Sequence, residues 1–313
     1  MTEVASWHPH ATWEGFTPNS DGSLAMLDAK GVQRVLGELA SLVVGTVRVT
    51  GAERADDRGV LSLLRHAVRE GIKVEVELDH EVPKAKLDVF AEAGVSRLSV
   101  PIEGPDARTH DRYRSSPGEF DNTIRFLESV RSSSLALEVR TTLHGGLSDR
   151  VETMARAVER WSASRWLLQA PVKDVDASIE QELTSLVAST AEAPYSVVTQ
   201  YAPFFLRLCV QRGGLRTRGA RNERNGLCIL ASGTITPDPA IPLTVGDVRH
   251  DRVSAVFDDH PLLRALRDPD AVEGKCGTCE FRAVCGGSRA RALAQTGNLF
   301  ASDPACTYGI ESA

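Results

Sequence analysis

Four cysteines in one short stretch carry the clearest chemistry of this chain. Cys276, Cys279, Cys285 and Cys306 lie within Lys275–Cys306, and the first three are spaced CxxC-x5-C. Thiolates are soft ligands, and four that converge hold a [4Fe–4S] cluster or a tetrahedral Zn2+. Gly277 and the Gly286-Gly287 pair let the backbone come close to a metal, and Asp303-Pro304 turns the chain so that Cys306 returns as fourth ligand. Zinc sites favour two CxxC knuckles. One knuckle, an x5 step and a distant cysteine suit an iron–sulfur cluster better, with zinc the alternative. Disulfides would need an oxidising compartment. The opening MTEVASWHPHATWEG has neither a basic start nor an apolar core, so no secretory signal is expected, and a cytoplasmic protein with reduced thiols is.

The elements before the cysteines alternate. Strands are expected at 46–50, 72–78, 96–101, 135–143, 165–170 and 195–200. Helices are expected at 25–42, 57–70, 84–93, 118–131, 149–163 and 177–190, from their apolar spacing. Such alternation builds parallel βα units, with functional groups at the C-terminal ends of the strands. Six repeats leave an open doubly wound sheet and a partial (β/α)6 barrel both in play. Residues 202–225 break the rhythm with arginine and glycine. That run either faces an anionic ligand, such as a carboxylate-rich tetrapyrrole or a phosphate, or is a solvated loop. Short strands then suggest a hairpin over 227–248. With 313 residues there is room for one large domain and a small one. A net charge of −6 argues against a nucleic-acid partner, and no apolar run is long enough to span a membrane.

Glu273-Gly274-Lys275-Cys276-Gly277-x-Cys279-Glu280-Phe281-Arg282-x-x-Cys285-Gly286-Gly287, followed by Arg289-Ala290-Arg291-Ala292, Thr296-Gly297 and Asp303-Pro304-x-Cys306, resembles the C-terminal SPASM (auxiliary-cluster) domain of radical SAM enzymes. Within that group it is most similar to the haem-biosynthesis branch. The resemblance spans about residues 25–306 and implies an α/β partial (β/α)6 barrel with a small iron–sulfur domain. The implied organisation is an N-terminal segment 1–24, a barrel 25–205, a bridge 206–225 and an auxiliary-cluster domain 226–313.

The family's CxxxCxxC loop, which holds the cluster that binds S-adenosylmethionine (SAM), has no counterpart. The first cysteine of the sequence is Cys209, and 7–23, where the motif belongs, has none. Degraded forms of other family motifs remain. Gly51-Ala52-Glu53-Arg54 stands for Gly-Gly-Glu-Pro. Pro101-Ile102-Glu103-Gly104-Pro105, with Thr109-His110-Asp111-Arg112, stands for Ser-Leu-Asp-Gly-Pro and its sequel. Ala202-Pro203-Phe204-Phe205 stands for Ala-Pro-His-Tyr. Glu53 and Glu103 are thereby implied to border a relict SAM pocket. Two-cluster SPASM proteins use a second cysteine set, here reduced to Cys228, Asp238 and Ser288, a poor donor set for iron–sulfur. One auxiliary cluster is expected, on Cys276, Cys279, Cys285 and Cys306, and the missing motif counts against SAM binding. His8 and His10 form an HxH pair that reads as exposed or locally bonded, and Cys209 reads as a core thiol.

Three functions fit these residues. The first is a pseudo-enzyme that keeps one cluster and serves a catalytic radical SAM enzyme as structural partner or electron relay, in making a peptide-derived metabolite or a tetrapyrrole. The second is a barrel enzyme of other chemistry, with Glu53, Glu103, His110 or His144 as acid–base groups. The third is a tetrapyrrole or peptide carrier lined by the Arg207–Arg224 run and Phe204-Phe205.

Overall fold

The computed structural model of the chain describes residues 10–14, 29–42, 45–53, 57–143, 150–175, 178–212, 218–221 and 223–309. The strands are β1 (His10–Glu14), β2 (Thr46–Thr50), β3 (Lys73–Glu77), β4 (Arg97–Pro101), β5 (Ala136–Thr142), β6 (Arg165–Gln169), β7 (Ser196–Gln200), β8 (Arg218–Arg221), β9 (Gly226–Leu230), β10 (Thr234–Thr236) and β11 (Gly246–Asp247). The helices are α1 (Ala29–Ser41), α2 (Asp57–Arg69), α3 (Lys84–Glu92), α4 (Ala107–Arg114), α5 (Glu119–Arg131), α6 (Val151–Arg160), α7 (Ser178–Ser189), α8 (Phe204–Gln211), α9 (Val253–Asp259), α10 (Pro261–Arg267), α11 (Gly274–Thr278) and α12 (Arg289–Thr296).

One sheet runs in the order β11-β10-β9-β1-β2-β3-β4-β5-β6-β7-β8. From β1 to β8 every pairing is parallel, as βα repeats require. β9 joins the outer side of β1 in parallel, then doubles back through β10 and β11 as the expected hairpin. The C-terminal part therefore grows from the same sheet. The six expected strands are β2 to β7, within a residue or two of their bounds. β1 lies in an N-terminal stretch that shows no clear period.

Side-chain alternation explains the curl. Val47 and Val49 of β2, like Val74 and Val76 of β3, are buried apolar residues, while the positions between them, Arg48 and Glu75, are buried charges. Arg48 donates to Glu75 at 3.0 Å and reaches Glu138 on β5 at 2.6 Å. Arg165 on β6 reaches Glu75 at 2.8 Å and Glu138 at 2.9 Å. The most distant of these partners lie three strands apart, roughly 14 Å along a flat sheet. They meet only because the sheet wraps round a lumen, which makes it a half-barrel and excludes the flat doubly wound sheet. Burial alone would raise the Glu77 carboxyl, but the guanidiniums of Arg140 and Arg48 overcome it and hold the group below its ordinary range.

Candidate functional site

The four cysteines of 276–306 line one small cavity. Cys276 lies on α11 and Cys279 is the residue that ends it. Cys276 and Cys285 are buried, Cys279 and Cys306 half-buried, and none is in a disulfide. Among the described residues, the charged side chains in the cavity wall are cationic: Arg207, Lys275 and Arg282. Gly286 and Gly287 have φ of 64° and 69°, so both need glycine for the backbone alone. A Cβ on Gly287 would also stand 2.7 Å from Asp303 Cβ. The Gly287 N–H donates to Cys285 Sγ at 3.5 Å, and the Asp303 N–H to Cys276 Sγ at 3.4 Å. Burial pushes the Cys285 and Cys306 thiols up, so their thiolates need a cation in the cavity. Among the described residues, no three His, Cys, Asp or Glu side chains meet closely enough to hold a single metal ion.

Asp303 organises this loop. Both its oxygens accept from Arg291 Nη1 at 3.0 Å, and both side chains are fully buried. The same carboxylate accepts from the Ser288 N–H at 2.8 Å and the Ala305 N–H at 3.1 Å, so it ties the Cys285 loop to the Cys306 turn. Arg291 also donates to the carbonyls of Tyr201, at 2.5 Å, and Pro171, at 3.1 Å, just past the ends of β7 and β6. On the other side, Glu180 of α7 accepts from the Thr307 N–H at 2.9 Å and from Arg207.

At the C-terminal end of the half-barrel, Glu53 follows β2 and Glu103 follows β4, as expected from their motifs. Burial raises the Glu103 carboxyl above its usual range, although it accepts from the Thr142 N–H at 2.7 Å. The Glu103 N–H in turn donates to His110 Nδ1 at 3.1 Å, and His110 is fully buried and held below its usual pKa by that burial. A Cβ on Gly104 would fall 2.1 Å from Thr109 Oγ1. Asp106 caps α4 by accepting from the Thr109 N–H, and Asp111 accepts from the N–H groups of Gly118 and Phe120. The stretch 103–120 is thus a self-bonded lock on the end of β4.

The reduced second set has partners of its own. Asp238 accepts from the Tyr201 hydroxyl at 2.8 Å and the Ala240 N–H at 2.8 Å. Ser288 caps α12 and donates to the buried Glu223 at 2.7 Å, and Cys228 is buried in β9. Phe204 and Phe205 are fully buried on α8, which corrects the expectation that they line a ligand site. Of the arginine-rich stretch, the two ends, Arg207 and Arg224, are buried, while Arg212 is exposed. Cys209 is buried in the core as expected. His8, His144, Arg54 and most of 7–23 fall outside the described residues. Sequence reasoning offered the Arg207–Arg224 run as a ligand-facing or solvated stretch and quoted Arg291 within the motif, but it assigned no contact to either and missed Glu223.

Residues 17–158 match the Radical SAM superfamily. Among curated proteins, the chain is 27% identical to the AdoMet-dependent heme synthase of Methanosarcina barkeri, over 92% of this chain and 88% of that one. It is 25% identical to a PqqA peptide cyclase of Methylobacterium sp., over 92% and 79%. Among solved structures, Streptococcus suis SuiB bound to S-adenosylmethionine aligns over 96% of this chain and 78% of that one, with a TM-score of 0.69 and 14% identity. Tagged anSMEcpe with bound AdoMet gives 0.70 over 96% and 94%, at 11% identity. At such identities the structures speak for the fold alone. Residues 17–158 are thus similar to the Radical SAM superfamily, and most of the chain is similar to enzymes of haem biosynthesis.

Proposed function

We propose that this chain is a radical SAM-like accessory protein that holds one auxiliary [4Fe–4S] cluster on Cys276, Cys279, Cys285 and Cys306 and does not cleave SAM itself. The observation that carries the reading is the uneven supply of thiols. Residues 1–208 contain no cysteine, while four cysteines line one cavity in the C-terminal part. Reductive SAM cleavage needs an iron with an open coordination position, held by three cysteines of the barrel. A cluster with four protein ligands has no open iron and serves structure or electron transfer.

The donor set fits a cluster. The four thiols here stand around a cavity, with cations in the wall and backbone N–H groups on two sulfurs. When bound, the cluster would cross-link the loop and supply a one-electron centre. Residues 226–313 then act as a SPASM-like domain on the edge of the half-barrel. The heme synthase and PqqA cyclase relatives favour work in biosynthesis. The same relatives leave a tetrapyrrole and a peptide as the two substrate classes for the complex with a catalytic radical SAM partner. Glu53 and Glu103 mark the relict pocket at the barrel end.

Anaerobic purification with iron and sulfide counting, and EPR with and without SAM, tests this. About four irons per chain, a signal indifferent to SAM, and no 5′-deoxyadenosine formed from SAM and dithionite are expected. Zinc in place of iron, a second cluster, or SAM turnover by the chain alone would sink the reading.

A further inference from the structure

The arginine run has a use that its composition does not reveal. One end, Arg207, stands in the wall of the cysteine cavity, and the other, Arg224, packs on the loop between Cys279 and Cys285. Arg224 donates to the carbonyls of Arg282 at 2.9 Å and Ala283 at 3.3 Å, inside the loop between Cys279 and Cys285. Its guanidinium lies so close to Gly286 that a Cβ there would fall 1.7 Å from Nη2. Gly286 is thus the residue that lets an arginine reach the neighbourhood of Cys285. Arg207 stands in the cavity wall, 3% exposed, stacked over the Tyr308 ring at 4.6 Å and held by Glu180. Burying two guanidiniums costs free energy that surface arginines do not incur. A cluster with four thiolates carries net negative charge, and the wall around it bears cations.

We infer that Arg207 and Arg224 are positioning residues for the cluster, and that their charges set its reduction potential and slow its loss. The inference rests on the cluster reading above. A fixed positive charge in a low-dielectric wall stabilises the reduced, more negative cluster, so its removal lowers the potential. Lysine keeps the charge without the planar fork, and glutamine removes it.

The test uses the full chain, loaded anaerobically with iron and sulfide, as wild type and as Arg207→Lys, Arg207→Gln, Arg224→Lys and Arg224→Gln. Dithionite titration followed by EPR gives the potential, and a chelator gives the rate of iron loss. Both glutamine variants are expected to load iron, to titrate at lower potential and to lose iron faster than wild type. The Arg207→Lys and Arg224→Lys variants should stay near wild type in potential. Potentials and loss rates unchanged in the glutamine variants overturn the inference. If Arg224→Gln is insoluble, the Arg207 pair decides it. Failure of the wild-type chain to take iron overturns the cluster reading beneath it instead.

Discussion

A thiolate at Cys285 is unfavourable in its buried place until something positive enters the cavity. Replacing that sulfur by a hydroxyl therefore removes a ligand while changing little volume. Cys285→Ser is expected to drop iron from about four per chain to near none, with far-UV circular dichroism unchanged. Cys228→Ser, in buried β9 away from the cavity wall, should leave the iron count as it is. His110 makes a second prediction. Its folded pKa lies below the ordinary 6.5 through burial, which the Glu119 charge opposes and the Arg114 charge assists. As pH falls through 6.5, the unfolded chain takes a proton that the folded chain refuses, so stability declines until the folded value is reached. One such proton gives a slope of at most about 1.4 kcal/mol per pH unit. His110→Asn keeps an acceptor for the Glu103 N–H, and urea melts between about pH 7 and 5 should show a flatter slope. An equal slope would remove His110 from the account. At this scale the sequence was readable where residue type alone restricts the chemistry, as for cysteine. It left the arginines open between ligand and solvent, because charge in a sequence does not say whether it faces water or a cavity.

The strands carry their lesson in alternation. Parallel strands covered on both faces normally read as unbroken apolar runs, yet β2 and β3 intersperse charge with valine. The charged positions fill the lumen, where Arg48 joins Glu75, Glu77 and Glu138 across several strands. Removing one member of a buried ionic set strands its partners, typically at a cost of about 3–5 kcal/mol. Arg48→Met should lower stability by that order in urea unfolding, whereas Arg156→Ala, exposed on α6 beside Glu152, should change it by less than about 0.5 kcal/mol. Similar losses for the two variants would mean that the lumen pairs hold nothing together. β2, β3 and β5 were legible because apolar and charged residues alternate, and β4, β6 and β7 because short apolar runs recur at βα spacing. α8 was hidden because its face is buried almost all round and arginine follows it, so it reads as the start of a basic loop. β1 was hidden because it pairs over four residues with β2 and over five with β9 through backbone groups that leave little pattern in sequence.

The cysteine loop and the half-barrel are joined by a short chain of contacts. The Asp303 N–H meets Cys276 Sγ, the Asp303 carboxylate holds Arg291, and Arg291 holds the carbonyls past β6 and β7. The Tyr201 hydroxyl then passes to Asp238 beside the β10 end. A filled cavity fixes the sulfurs, and through them Asp303, so cluster loading should reach the strand ends, where a barrel of this kind keeps its functional groups. Hydrogen exchange on the loaded and chelator-stripped chain checks this. Loss of the cluster is expected to speed exchange in 276–306 and also at 170–175 and 201–205, while β3 and β4 stay protected. In Arg291→Lys, which keeps a charge but not the fork that grips two carbonyls and a carboxylate, the loop should still respond and the strand ends should not. Strand ends indifferent to the cluster in the wild-type chain would mean that the C-terminal part merely rides on the sheet, and its role in a complex would then be confined to its own surface.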